Sequence, residues 1–111
     1  MQVRIVAKNL VLSADDQAHI EHKVTKLTRI SDRIQEIDVV VERLPRGYHV
    51  ELVSDVERHR DFIANASADE LRDCIDQAMD KSVRQLNDWK ELTHNHKHHP
   101  ERRPGKDAAS Q

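Results

Sequence analysis

Three short segments in the middle of the chain each place apolar residues at every second position. Ile37, Val39 and Val41 alternate with Asp38, Val40 and Glu42, and Tyr48, Val50, Leu52 and Val56 alternate with His49, Glu51, Val53 and Asp55. Phe62, Ala64 and Ala66 mark a third such segment. A period of two is that of a strand whose successive side chains point to opposite faces, so each strand has a single apolar face. The opening residues repeat the pattern, with Val3, Ile5 and Ala7 alternating with Arg4, Val6 and Lys8. Four strands of this kind make a one-sided sheet that must be covered on one face only.

Two helices supply the cover. Ser13 stands at an N-cap position with Asp15 and Asp16 in the first turn, where carboxylates favour the positive end of the helix dipole. Ile20, Val24, Leu27 and Ile30 follow at helical spacing, predicting a helix from about Ala14 to Ser31. Ser67 and Glu70 read as a capping box opening a second helix that runs to about Leu92, with Leu71, Ile75, Ala78, Met79, Val83 and Leu86 on one face. Leu44 to Tyr48, containing Pro45 and Gly47, is a turn, and Glu57 to Asp61 is a second turn lacking both Gly and Pro.

The expected class is therefore α+β, in the order βαβββα, with a four-stranded mixed sheet and both helices packed on one face. The first crossover should be right-handed and join a parallel pair, and the last three strands should form an antiparallel meander. Residues 1–92 are expected to form this one domain, and residues 93–111, with two prolines, one glycine and no apolar period, a disordered His-rich tail.

Charge narrows the function. Residues 1–91 hold 14 Lys/Arg against 18 Asp/Glu, so nothing draws the whole domain to nucleic acid. RNA binding would need a local basic patch turned away from the acids. On the outer side of the first helix, His19, His22, Lys23, Lys26 and Arg29 fall at helical spacing. The second helix carries Lys81 and Arg84 roughly opposite its apolar face, and Lys90 near its end, where a lysine can snorkel out. Side by side, the helices could merge these positions into one ridge for backbone phosphates. The same stripes also fit ordinary solvated surface, with Arg84 paired to Asp80 one turn away.

Other chemistries have less behind them. Tyr48, Phe62 and Trp89 are the only aromatics, Phe62 fits the core and Trp89 fits packing near the helix end. A base-stacking sheet needs two or three exposed rings, so RNA contact should be to shape and backbone. Catalysis lacks a glycine-rich phosphate loop and a nucleophile motif: Gly47 and Gly105 are the only glycines, the single Cys74 lies in a helix interior, and Ser13 and Ser67 serve as caps. A non-enzymatic protein with no cofactor and no small-molecule substrate is expected. His94, His96, His98 and His99 offer a metal-binding alternative if the tail becomes helical, although no acidic or cysteine partner accompanies them. His49 and His59 read as surface residues. No apolar run approaches the ~18 residues of a membrane helix. With one cysteine and no signal-peptide core, a reducing, cytoplasmic setting is expected.

The ordered pieces resemble the ribosome hibernation promoting factors and ribosome-associated inhibitor A, over residues 1 to about 92. MQVRIVAKNLVLS resembles the family's opening strand and N-cap, with Asn9 in the place of a typical asparagine. KVTKL holds Lys23 and Lys26, SDRI makes the link into the next strand through Asp32 and Arg33, and CIDQAMDKSVRQL keeps Ile75, Asp76, Asp80, Lys81, Arg84, Gln85 and Leu86, followed by Lys90. The resemblance implies a fold similar to a double-stranded RNA-binding domain. It also implies docking on ribosomal RNA in the decoding groove of the small subunit, excluding messenger and transfer RNA and inhibiting translation during stress and stationary phase. It assigns phosphate contacts to Lys23, Lys26, Arg29, Lys81, Arg84 and Lys90, with Gln85 a polar helper, in a protein that is a monomer when free. The chain departs from the family pattern at Glu57-Arg58-His59-Arg60, where a glycine-containing turn is common, and at Asp88 and Glu91, which dilute a usually more basic helix end. The C-terminal dimerisation domain of the family's long forms is not expected here. A reading from another class is a regulator that binds transcription machinery through apolar residues such as Val40 and Val53 on the open sheet face.

Overall fold

The computed structural model describes residues 1–95, with side chains as far as Leu92. Its elements are β1 (Gln2–Lys8), α1 (Ala14–Thr28), β2 (Ile34–Arg43), β3 (Tyr48–Val56), β4 (Phe62–Ala68) and α2 (Leu71–Asn95). The order is βαβββα, and the sheet runs β1-β2-β3-β4, with β1 parallel to β2 and the other neighbours antiparallel. The tail beyond residue 95 lies outside the described residues.

Alternation fixes the register. Val3, Ile5 and Ala7 stand beside Ile37, Val39 and Val41. Val39 and Val41 face Leu52 and Val50, which in turn face Ala64 and Ala66. From β2 to β4 this apolar face forms one core with Ile20, Val24 and Leu27 of α1 and with Cys74, Ile75, Ala78, Met79 and Leu86 of α2, so both helices lie on the same side. Of β1 only Ile5 packs against this core, and Val3 and Ala7 are exposed. A fully buried side chain such as Leu52 or Ile75 contributes roughly 1.5–3 kcal/mol. The small Ala64 and Ala66 of β4 sit where α2 comes down on the sheet.

The ends of the elements have local causes. Ser13 Oγ accepts the amide of Asp16 at 3.0 Å, capping α1 as its sequence predicts. α1 stops at Thr28, three residues short of the expected end. There the Arg29 amide bonds back to Lys26 and that of Ile30 to Leu27, while Ser31 Oγ takes the amide of Arg33 at 3.1 Å. Asn9 adopts φ 63°, a left-handed conformation that asparagine tolerates better than most residues. Gly47 has φ 78°, and a Cβ placed there would lie 2.5 Å from the Ala68 carbonyl oxygen.

The expected Ser67–Glu70 capping box does not form. Ser67 belongs to β4, opposite His49, and the ladder continues to Ala68 opposite Tyr48. Glu70 instead holds the capping position through its carbonyl, which accepts the amide of Cys74 at 3.0 Å.

Candidate nucleic-acid interface

The two faces of the molecule differ in charge because alternation sorts the strand residues. The register places Glu36, Asp38, Glu42, Glu51 and Asp55 on the open face, accompanied by the cations Arg4 and Lys8. Arg4 Nε donates to Asp38 Oδ1 at 3.1 Å and lies 3.6 Å from Glu36 Oε2. A hydrogen bond to Asp38, together with the charge of that carboxylate, holds the Glu36 carboxyl above its ordinary range, and Arg4 only partly opposes the shift. The strand acids thus gather on the side away from the helices.

On the helix side, Lys26 and Arg29 are exposed along the outer surface of α1, with His22 one turn before Lys26. Lys23 faces α2, its Nζ 3.7 Å from Asp76 Oδ1. That carboxylate oxygen also accepts from His19 Nε2 at 2.7 Å, so Asp76 ties the helices together while holding Lys23. One turn earlier, Arg72 Nε donates to Asp16 Oδ1 at 3.1 Å across the same seam.

The α2 residues divide by flank. Lys81 Nζ donates to the Asn65 carbonyl at 2.7 Å, and four residues on, Gln85 Nε2 donates to the Ile63 carbonyl at 2.9 Å. Both acceptors lie on β4, an edge strand, so this flank of α2 closes the edge. At about 100° per residue, the Lys81 flank lies nearly opposite the Arg72–Asp76 flank that meets α1. Arg84 is exposed on the outer surface between them, and among the described residues it makes no ion pair with Asp80. Lys90 returns to the α1 side, where it and Arg29 border the same hollow. The sequence-predicted residues are therefore not one continuous strip. Lys23, Lys26, Arg29 and Lys90 lie along α1 and its seam with α2, Arg84 stands on top of α2, and Lys81 and Gln85 lie over the β4 edge.

Two residues that the sequence did not single out as contacts complete the hollow. The Arg33 guanidinium carbon lies 5.0 Å from the Trp89 ring centroid, and its NH2 group donates to the Glu57 carbonyl at 2.8 Å. His59, expected on the surface, is exposed but stacks on Phe62 with centroids 4.5 Å apart. No spacing in the sequence connects Arg33 with Trp89, because the contact depends on where α2 crosses the start of β2. Cys74 is buried and its Sγ donates to the Ala66 carbonyl at 3.2 Å; burial pushes its thiol up, away from nucleophile chemistry. Among the described residues, no group of three or more His, Cys, Asp or Glu is placed to hold a metal, and no helix is long and apolar enough to cross a membrane. Of the tail histidines, His96, His98 and His99 lie outside the described residues, as does the side chain of His94.

Residues 3–93 match the family model described as Sigma 54 modulation protein / S30EA ribosomal protein. The chain belongs to this family. By that membership the S30EA domain seen here is ribosome-associated, in line with its resemblance to the hibernation promoting factors. The Protein Y N-terminal domain of Thermus thermophilus superposes with a TM-score of 0.71 at 21% identity, covering 80% of this chain and 99% of that one. A ribosomal subunit interface protein from Coxiella burnetii superposes with a TM-score of 0.71 at 22% identity, covering 81% of this chain and 98% of that one. Both share the S30EA fold found here. No curated protein sequence matches the chain.

Proposed function

We propose that this chain is a non-enzymatic hibernation factor that docks on ribosomal RNA in the decoding groove of the small subunit. There it excludes messenger and transfer RNA and inhibits translation. It acts in the cytoplasm, under stress and in stationary phase, as a monomer when free. The observation that carries this reading is a local group of cations on the helix side. Lys23, Lys26, Arg29 and Lys90 lie along α1 and its seam with α2, while the strand carboxylates occupy the opposite side of the sheet. The helices carry acids of their own, Glu21, Asp73, Asp80 and Glu91 among them, so a phosphate backbone is held by this local group of cations and not by the net charge of the face.

Co-sedimentation with small subunits over a series of salt concentrations tests the proposal. Each phosphate contact contributes a slope of roughly 0.9 in log K against log salt on duplex nucleic acid. The variant Lys26→Glu/Arg29→Glu/Arg84→Glu leaves Lys81 on the β4 edge and should stay folded while losing pelleting. Pelleting equal to wild type would remove the assignment. One observation favours a protein partner instead: the register sets Val6 beside Val40, and Val53 beside Ile63, on the open face. Recovery of polymerase subunits without ribosomes in a pull-down would support that second reading.

A further inference from the structure

Where α1 gives way to β2, a hollow of about 400 Å³ separates the Arg29–Arg33 turn from α2. Among the described residues its rim carries three cations, Arg29, Arg33 and Lys90, against one carboxylate, Asp32, and Ile30 and Trp89 give it an apolar wall. The volume falls within the ~300–1,000 Å³ range of small-ligand sites.

The walls are held in place by contacts that leave donors to spare. Arg33 is fixed at its backbone by Ser31 Oγ, at one guanidinium nitrogen by the Glu57 carbonyl, and at its face by the Trp89 ring. A guanidinium has five N–H donors, and the Glu57 bond uses one. Trp89 is braced in turn by Phe62, 6.0 Å away, and by the edge of His59, 6.1 Å away. The β3–β4 turn that supplies His59 and the Glu57 carbonyl also brings the exposed Arg58 and Arg60 to this end of the domain.

Cations spaced around a stacked guanidinium–indole pair match the two halves of a nucleotide. Phosphate takes the cations, and a base stacks on an aromatic ring or an arginine plane. A paired base is already stacked within its helix and cannot enter. We propose that this hollow binds one unpaired nucleotide, its phosphate on Arg29 and Lys90 and its base against the Arg33–Trp89 pair. With an RNA strand as the source, the inference rests on the ribosomal-RNA reading above and adds to it. The domain reads backbone along its helices and grips a single looped-out or unpaired residue at its end.

Trp89 is the only tryptophan, so its emission reports on the hollow directly. The full chain is titrated with a single-stranded RNA hexamer, an RNA duplex, adenosine monophosphate and inorganic phosphate. The hexamer should quench Trp89 saturably. The duplex should bind, as read by anisotropy of a labelled strand, and leave emission unchanged. Arg33→Gln and, because Arg33 also holds the β3–β4 turn, Lys90→Ala should each weaken the hexamer response by tenfold or more. An unaltered spectrum with the hexamer, equal quenching by the duplex, or both variants behaving as wild type would overturn the proposal. Adenosine monophosphate binding as tightly as the hexamer would support the pocket and overturn an RNA strand as its source. Ribosome pelleting separates this proposal from the one it extends: its loss in a helix-face variant that spares the pocket, Lys26→Glu/Arg84→Glu, with hexamer quenching intact, leaves the pocket standing, and the reverse pattern removes the pocket alone.

Discussion

Asp76→Asn tests the helix seam, because it should move stability and ribosome binding in opposite directions. The substitution keeps the shape and an oxygen that still accepts from His19, and it removes only the charge that holds Lys23. At the observed 3.7 Å, the Lys23–Asp76 attraction is about 1 kcal/mol in water. Both side chains are partly exposed, so entropy and salt reduce this to roughly 0.2–1 kcal/mol. A domain of this size loses roughly 4–8 °C in Tm per kcal/mol, so the melt should fall by a few degrees. Binding should improve, because Lys23 is released and a carboxylate leaves the phosphate-facing seam. A gain of roughly 0.5–1 kcal/mol at low salt corresponds to about two- to fivefold tighter binding. The salt slope should steepen by roughly 0.9 if Lys23 takes up one phosphate. Circular-dichroism melts and anisotropy of labelled protein on small subunits measure the two effects. Weaker binding together with the lower Tm would refute the reasoning, since Asp76 would then be needed to hold the helices in a docking geometry.

Two further outcomes follow from backbone and charge geometry. Gly47→Ala puts a methyl group 2.5 Å from the Ala68 carbonyl oxygen at φ 78°. Left-handed strain plus backbone displacement should cost about 2–4 kcal/mol in urea unfolding, with the slope unchanged, and a loss below about 1 kcal/mol would mean that β4 yields freely. Glu36 holds its proton more tightly in the folded state because of Asp38, so its contribution favours the fold at low pH and is lost as pH rises through its folded value. Glu36→Gln should therefore gain in Tm over wild type above the ordinary glutamate value of 4.5, with the gain absent below it, and a gain confined to acid would reverse the assignment.

Much of the fold was legible because one-sided strands must alternate and buried helix faces must recur every three to four residues. Val39, Leu52 and Ala64 could each be placed on the apolar side of its own strand, and the structure sets them side by side in the sheet. Boundaries were less legible. Ser67 carries a helix-capping signature, yet pairing with His49 outweighs it, a long-range preference that no local window contains. The end of α1 was hidden for a similar reason: Ser31 acts through its hydroxyl in a turn without glycine or proline. For the interface, the sequence supplied helical angles and no partners. Periodicity could place Lys81 on an exposed flank of α2, but only the packed structure brings it to the Asn65 carbonyl. Arg33 and Trp89 met through tertiary packing alone.

The carbonyls taken up by Lys81 and Gln85 also limit how the molecule can associate. A sheet with two bare edges can add strands without end, whereas here the Asn65 and Ile63 acceptors are already occupied. Strand-to-strand association is left to β1. Two copies joined there would present a guarded β4 at each outer margin, so accidental edge pairing stops at a pair and cannot propagate into a ribbon.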